Sequence, residues 1–141
     1  MIDFDFYIRK GIVVKRIPDK NRARDLLSDS EEKFMIAEKV KDISPKVAFE
    51  LYYDAIRGLL EVGMFIYGYK TWSHEAAISF GKILGLKDEE ISFLDNLRKL
   101  RNESKYYGGK IDRDLLDGLY RDIVEVYNKL KGILLKLIDQ N

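Results

Sequence analysis

The sequence predicts an all-α protein, an up-and-down bundle of four to five helices behind a short N-terminal extension. Three observations carry that expectation. Apolar residues recur three and four positions apart from Ala23 onward, the period of one helix face. Helix-start residues precede the apolar runs, at Ser44, Ser73, Asp88 and Asp112. Glycines stand where those runs stop, at Gly68, Gly85 and Gly108. The expected organisation is an extension over 1–18 and one helical bundle over 19–141.

Within the extension, Ile2, Phe4, Phe6 and Ile8 alternate with Asp3, Asp5, Tyr7 and Arg9, the two-residue period of a half-buried strand. Gly11 offers a turn before a second apolar run, Ile12 to Ile17. The reading is a hairpin that leans on the helices or on another subunit, because a lone hairpin is marginal in water. A short helix is the alternative. The first bundle helix is expected from about Asp19 to Lys41, with Ala23, Leu27, Ser30, Phe34 and Ala37 on one face.

The second helix starts at Ser44-Pro45, where the hydroxyl accepts from an orphan amide and proline needs no amide partner, and extends to Tyr67. Its apolar positions form two adjoining faces, one through Tyr52, Leu59 and Ile66, the other through Phe49, Tyr53 and Met64. Only Glu50, Asp54, Arg57 and Glu61 make a charged stripe. A helix apolar over most of its girth is central or is buried on two sides; the reading is that it serves both the core and a further packing surface, which points to a homodimer. The third helix is expected from Ser73 to near Gly85. The fourth starts at Asp88, with Glu89 and Glu90 favouring the positive end of the dipole, and Gly108 and Gly109 end it. The fifth opens at Asp112 and runs through Leu137 in a three-and-four pattern suited to a long bundle helix.

Of 141 residues none is Cys and one is His. That excludes disulfides, thiolate metal sites, cysteine catalysis and any pair of histidines within one chain. No metal site and no cofactor is expected. Met1 to Arg9 alternates acidic and aromatic residues where a signal peptide would be basic and then apolar, and no apolar run approaches the roughly 20 residues of a membrane span. The expectation is a cytoplasmic protein without a membrane partner. Net charge is +1 overall. Yet residues 1–24 hold seven basic and three acidic side chains, and residues 98–113 hold six and two, while the middle of the chain is acidic. Tyr106 and Tyr107 lie in the second basic segment, and basic residues interleaved with aromatics can follow phosphates and stack bases. Cations near a helix C-terminus are also favoured by the dipole alone.

Arg101 falls on the arc of the fourth helix that holds Leu94, Leu97 and Ser104, facing inward. Arginine seldom faces a core without a partner. Either it closes an ion pair with Asp54 or Glu50, or it lines a polar cleft between subunits. Asp54 with Arg57 and Arg57 with Glu61 have the spacing of an ion-pair ladder, read first as a solvated face. His74, beside Trp72 at a helix start, is read first as structural.

The run Leu97-Arg98-Lys99-Leu100-Arg101-Asn102-Glu103-Ser104-Lys105-Tyr106-Tyr107-Gly108 near a helix end resembles the signature of HEPN domains. So do Lys10-Gly11, Pro18-Asp19-Lys20, Ala55-Ile56-Arg57, Gly68-Tyr69-Lys70 and Ser73-His74-Glu75-Ala76, in this order, covering about Tyr7 to Leu137. The likeness is strongest to the archaeal branch. It implies a dimer in which two copies of the motif face each other across a cleft, and in many members an RNA-cleaving activity. Arg101 matches the motif arginine and Asn102 the polar residue after it. The motif histidine is replaced by Tyr106, with Tyr107 in the neighbouring slot.

That replacement removes a group with a pKa near 6.5 and leaves one near 10, a poor base at pH 7. The expected function is therefore RNA or nucleotide binding in an inter-subunit cleft by Arg101, Asn102, Lys105, Tyr106 and Tyr107. The resemblance adds a minimal nucleotidyltransferase as partner in a toxin–antitoxin type pair, some of which modify a tyrosine at the motif. Alternatives are a metal-independent endoribonuclease using Arg101 with Tyr106 or Tyr107, and a structural interaction module.

Overall fold

A computed structural model describes residues 2–140. The order is α1 (Phe4–Arg9), β1 (Val13–Lys15), α2 (Lys20–Val40), α3 (Pro45–Tyr67), β2 (Tyr69–Thr71), α4 (His74–Leu84), α5 (Asp88–Tyr106) and α6 (Arg113–Asp139). This is the expected helical bundle with a short N-terminal extension. Among the described residues no helix is long and apolar enough to cross a membrane.

The helix starts follow local capping chemistry. The Asp19 carboxylate accepts from the Arg22 amide at 2.9 Å, Ser44 Oγ from Val47 at 3.2 Å, Ser73 Oγ from Ala76 at 3.1 Å, and Asp112 from Leu115 at 2.9 Å. Each satisfies one donor that the first turn leaves without a partner. At the start of α5 the relation is reversed: the Lys87 amide donates to Glu90 at 2.8 Å. Glu90 also accepts from Lys129 of α6 at 2.7 Å, which ties the start of α5 to its neighbour.

The extension resolves into two different elements. Residues Phe4–Arg9 are helical, so the strand expected there does not form and the short-helix alternative holds. The physical reason is partnership: Phe4 and Tyr7, one helical turn apart, are both buried, and Phe4 meets Tyr69 and Phe80 edge-on with centroids 5.2 and 5.0 Å away. A strand would have placed the two on opposite faces. The second run does form a strand, but its partner lies far along the chain. Val13 pairs with Thr71 and Lys15 with Tyr69 in an antiparallel ladder. Pairing of that range leaves no trace in local periodicity.

Gly68 joins α3 to β2 and has φ +86°. Its amide closes α3 on the Met64 carbonyl at 2.8 Å, and its carbonyl accepts from the Arg16 amide at 2.9 Å. A Cβ there would stand 2.7 Å from the Arg16 carbonyl oxygen. Gly68→Ala should therefore destabilise the fold by about 2 kcal/mol or more, combining left-handed strain with a backbone clash. Urea unfolding followed by circular dichroism measures it; an unchanged midpoint would mean that the β1–β2 junction can move aside.

α3 is the central element, packed on α2, α6, α4 and α5. Tyr52 faces α2 and α6, meeting Phe34 and Tyr120 edge-on and donating to Glu38. Burial and this bond push the Tyr52 hydroxyl well above the ordinary tyrosine range. Gly63, on the other face, lets α4 approach: a Cβ there would lie 2.8 Å from Leu84 and 3.0 Å from Phe80. Both apolar faces of α3 are thus covered by this chain itself. The expectation that its second face needs a partner copy is corrected, because α4 and α5 supply that surface.

Candidate functional site

α4 and α5 lie side by side, and the N-terminus of α4 faces the last turns of α5. Arg98 fixes this register. Its Nε donates to Asp95 on its own helix at 2.9 Å, and a terminal nitrogen lies 3.5 Å from Glu75 of α4. The shallow groove between the two helices, about 330 Å³, is lined by Ser73, His74, Glu75, Arg98, Arg101, Asn102 and Tyr106.

Arg101 is half-buried beside the buried Leu94, Leu97 and Ser104, as its helical position predicts. The ion pair with Asp54 or Glu50 does not form. Among the described residues no carboxylate lies within 4.0 Å of Arg101. Its guanidinium sits instead over the Tyr53 ring, 5.5 Å from the centroid. Asp54 pairs within α3 with Arg57, at 3.7 Å, and the Arg57–Glu61 rung is not made. Glu50 is half-buried on α3 and is not part of the groove.

The charged stripe of α3 is only partly solvated: Glu61 is exposed, while Glu50, Asp54 and Arg57 are half-buried. Asp54 Oδ1 and Arg57 Nε are shielded from solvent without a hydrogen-bond partner. Asn102 and Tyr106 belong to the groove. Lys105 and Tyr107 are exposed at the end of α5 outside it. That end closes on Gly108 at φ +74°, with the amides of Tyr107 and Gly109 both donating to the Glu103 carbonyl. Tyr106 and Tyr107 remain 66% and 83% exposed, open to a partner molecule.

The residues that spacing did not bring forward are His74 and Tyr53. The Tyr53 hydroxyl, on a side chain only 3% exposed, lies 3.1 Å from His74 Nδ1. Burial pushes that hydroxyl up to about 12 against the pull of Arg101 and Arg57, so it keeps its proton. Were it to accept from Nδ1, the buried O–H would have no acceptor, which costs about 1–3 kcal/mol. Tyr53 therefore donates, and the neutral imidazole carries its hydrogen on Nε2. Burial is the main force lowering the His74 pKa below 6.5; Arg57, Arg101 and Arg98 add to it and Asp54 opposes it.

The ring is thus held neutral in the groove as a donor, matched to a phosphate oxygen and mismatched to the role of a base. His74 lies within Ser73-His74-Glu75-Ala76, part of the family resemblance, whereas Tyr53 lies outside every segment that carries it. Their convergence depends on how α3, α4 and α5 pack.

His74 is the single histidine, so its nuclear magnetic resonance signals are unambiguous. The expected result is an Nε2–H tautomer and an apparent pKa below 6.5 that rises in Arg101→Ala. A depressed folded-state pKa means that the native state binds fewer protons than the unfolded chain. The His74 contribution to stability is then complete above about pH 6.5 and is lost as pH falls through the folded-state value. A pKa that stays put in Arg101→Ala would show that the two groups do not share a field.

The chain matches no family model, no curated protein and no solved structure. Its function is read from the site itself.

Proposed function

We propose that this protein is a HEPN-like, RNA- or nucleotide-binding protein that acts as a homodimer and binds phosphate through Arg101 without efficient cleavage. The observation that carries this reading is the state of Arg101: a half-buried guanidinium in an open groove, with no carboxylate within 4.0 Å among the described residues and with Asn102, Tyr106 and His74 beside it in the lining. An uncompensated charge of this kind is costly to hold and is offset when an anion arrives. Asn102 and Tyr106 add neutral donors that orient the anion. In the dimer a second copy closes the groove, and the exposed rings of Tyr106 and Tyr107 provide apolar surface for that contact or for the modification that a minimal nucleotidyltransferase partner would make.

A second reading, metal-independent endoribonuclease, is favoured by one observation, the presence of His74 in the groove. Cleavage needs one group to accept the ribose 2′-hydroxyl proton and another to protonate the leaving oxygen. In its donor tautomer His74 does not serve as that base, and tyrosine, with its high ordinary pKa, is a poor one at neutral pH. Binding is therefore the reading preferred. Incubating the protein with transfer RNA, and measuring anisotropy of a labelled single-stranded RNA in parallel, separates the two. Retention without new fragments is expected, with sedimentation reporting a dimer. Fragments that disappear in both Arg101→Ala and His74→Gln would establish the nuclease, and a monomer without RNA affinity would remove both readings.

A further inference from the structure

His74 and Ser73 also form one wall of a second pocket, of about 230 Å³, which Arg101 does not line. Arg16, Arg57, Lys70 and Trp72 do. These residues come from the β1–α2 connection, α3, β2 and the β2–α4 connection, and the β1–β2 ladder, with the Arg16 amide on the Gly68 carbonyl, brings the first and the last two together.

Its cations are unusually free. Arg16 is half-buried with its guanidinium carbon 3.2 Å from the centroid of the Phe65 ring, and its Nε has no hydrogen-bond partner. Burial disfavours its charge, and Glu61, which also lines the pocket, and Asp19 oppose this only by their fields. Among the described residues no carboxylate lies within 4.0 Å of Arg16 or Lys70, and Arg57 reaches only Asp54, at 3.7 Å. Trp72 is 75% exposed, and Lys70 Nζ stands 4.5 Å from its ring centre, which leaves the other ring face to solvent. A large aromatic kept in water beside underneutralised cations is the combination that stacks a base and holds its phosphate.

We propose that this pocket is a second nucleotide subsite: Arg16, Arg57 and Lys70 take a phosphate, the free face of Trp72 takes a base, and the strand continues past His74 to Arg101. The ligand is then single-stranded RNA of at least two nucleotides. This extends the reading of the Arg101 groove as a phosphate site and rests on it for the span, while the pocket itself stands on separate residues.

Trp72 is the only tryptophan, so intrinsic fluorescence reads the pocket directly. Hexa-adenylate RNA and AMP are titrated into the 141-residue protein, with fluorescein-labelled hexa-adenylate anisotropy measured alongside. Both ligands should quench Trp72. Arg16→Gln and Lys70→Ala should each weaken both by about ten-fold, the loss of one charge-assisted contact. Lys70 is exposed, so its variant keeps the test valid if Arg16→Gln fails to fold. Arg101→Ala should weaken hexa-adenylate and leave AMP unchanged.

Anisotropy that depends on Arg101 with no change at Trp72 would overturn the subsite and leave the groove reading intact. Quenching by both ligands that ignores Arg101→Ala would overturn the span and with it the groove reading. Quenching only by vesicles of phosphatidylglycerol and phosphatidylcholine would overturn the subsite in favour of a membrane surface.

Discussion

Arg101→Ala should abolish most RNA affinity while leaving the fold nearly as stable as before. Two physical situations make opposite forecasts for this residue. In a buried ion pair, removing the arginine strands its carboxylate and costs roughly 3–5 kcal/mol of stability. Among the described residues no carboxylate lies within 4.0 Å of Arg101, and the substitution removes chiefly the cation–π interaction over the Tyr53 ring, worth about 0.5–1 kcal/mol at a partly exposed site. A charge-assisted hydrogen bond to phosphate is worth about 1.5–3 kcal/mol, so affinity should fall roughly ten- to hundred-fold. The slope of log affinity against log salt should also shrink by about one. Arg101→Lys should recover part of the affinity, since it keeps the charge without the planar fork. Thermal unfolding and anisotropy on the same preparations decide the matter. A large loss of stability with unchanged RNA binding would reinstate the structural-module reading.

Phe80→Ala should be the most damaging single substitution where α1, α3 and α4 meet. Phe80 is fully buried, and Phe4, Tyr67 and Tyr69 meet its ring with centroids 5.0, 5.5 and 6.2 Å away. It also lies against Gly63, on the face of α3 that α4 covers. Truncation removes the transfer energy of the ring and leaves a cavity that the surrounding elements are too tightly connected to fill. The expected cost is about 3–5 kcal/mol, a large part of a typical domain's 5–15 kcal/mol. Because Phe4 loses a principal partner, amides of α1 should exchange with solvent faster than those of α6. Equilibrium unfolding in urea supplies the first number and hydrogen exchange the second. A loss below about 1 kcal/mol would mean that α1 settles into the vacated space.

The two substitutions separate what the bundle needs in order to stand from what it carries. Phe80 acts through volume and leaves the groove chemistry alone. Arg101 is close to dispensable for packing, and its position is maintained by Tyr53, Leu97 and the Arg98 bridge to Glu75. Among the described residues neither this guanidinium nor that of Arg16, beyond His74, has a carboxylate within 4.0 Å, which is why both enter the binding proposal.

Helix positions were legible in the sequence because the forces that set them act within a turn or two. Ser44-Pro45 starts α3, Gly68 ends it, Asp112 opens α6, and each does so through a bond to a residue at most four positions away. The inward position of Arg101 was legible for the same reason, since 100° per residue fixes which side of a helix a residue takes. Its partner was not legible. Asp54 and Glu50 were reasonable by charge, but the rotation of α3 turns Tyr53 toward Arg101 and gives Asp54 to Arg57.

By itself, then, the sequence determined the bundle helices, their ends, the scarcity of groups that ordinarily titrate near neutral pH, with one His and no Cys, and the side of α5 on which Arg101 stands. Tertiary structure alone decided that the N-terminal alternation becomes a helix, that β1 finds β2, that α4 and α5 cover the second face of α3, and that His74 joins Arg101 in one groove. The difference is one of range. Caps and periodicity are nearest-neighbour effects written into consecutive residues, whereas these four outcomes depend on how whole helices rotate and approach, which is settled by the fit of side chains distant in the chain.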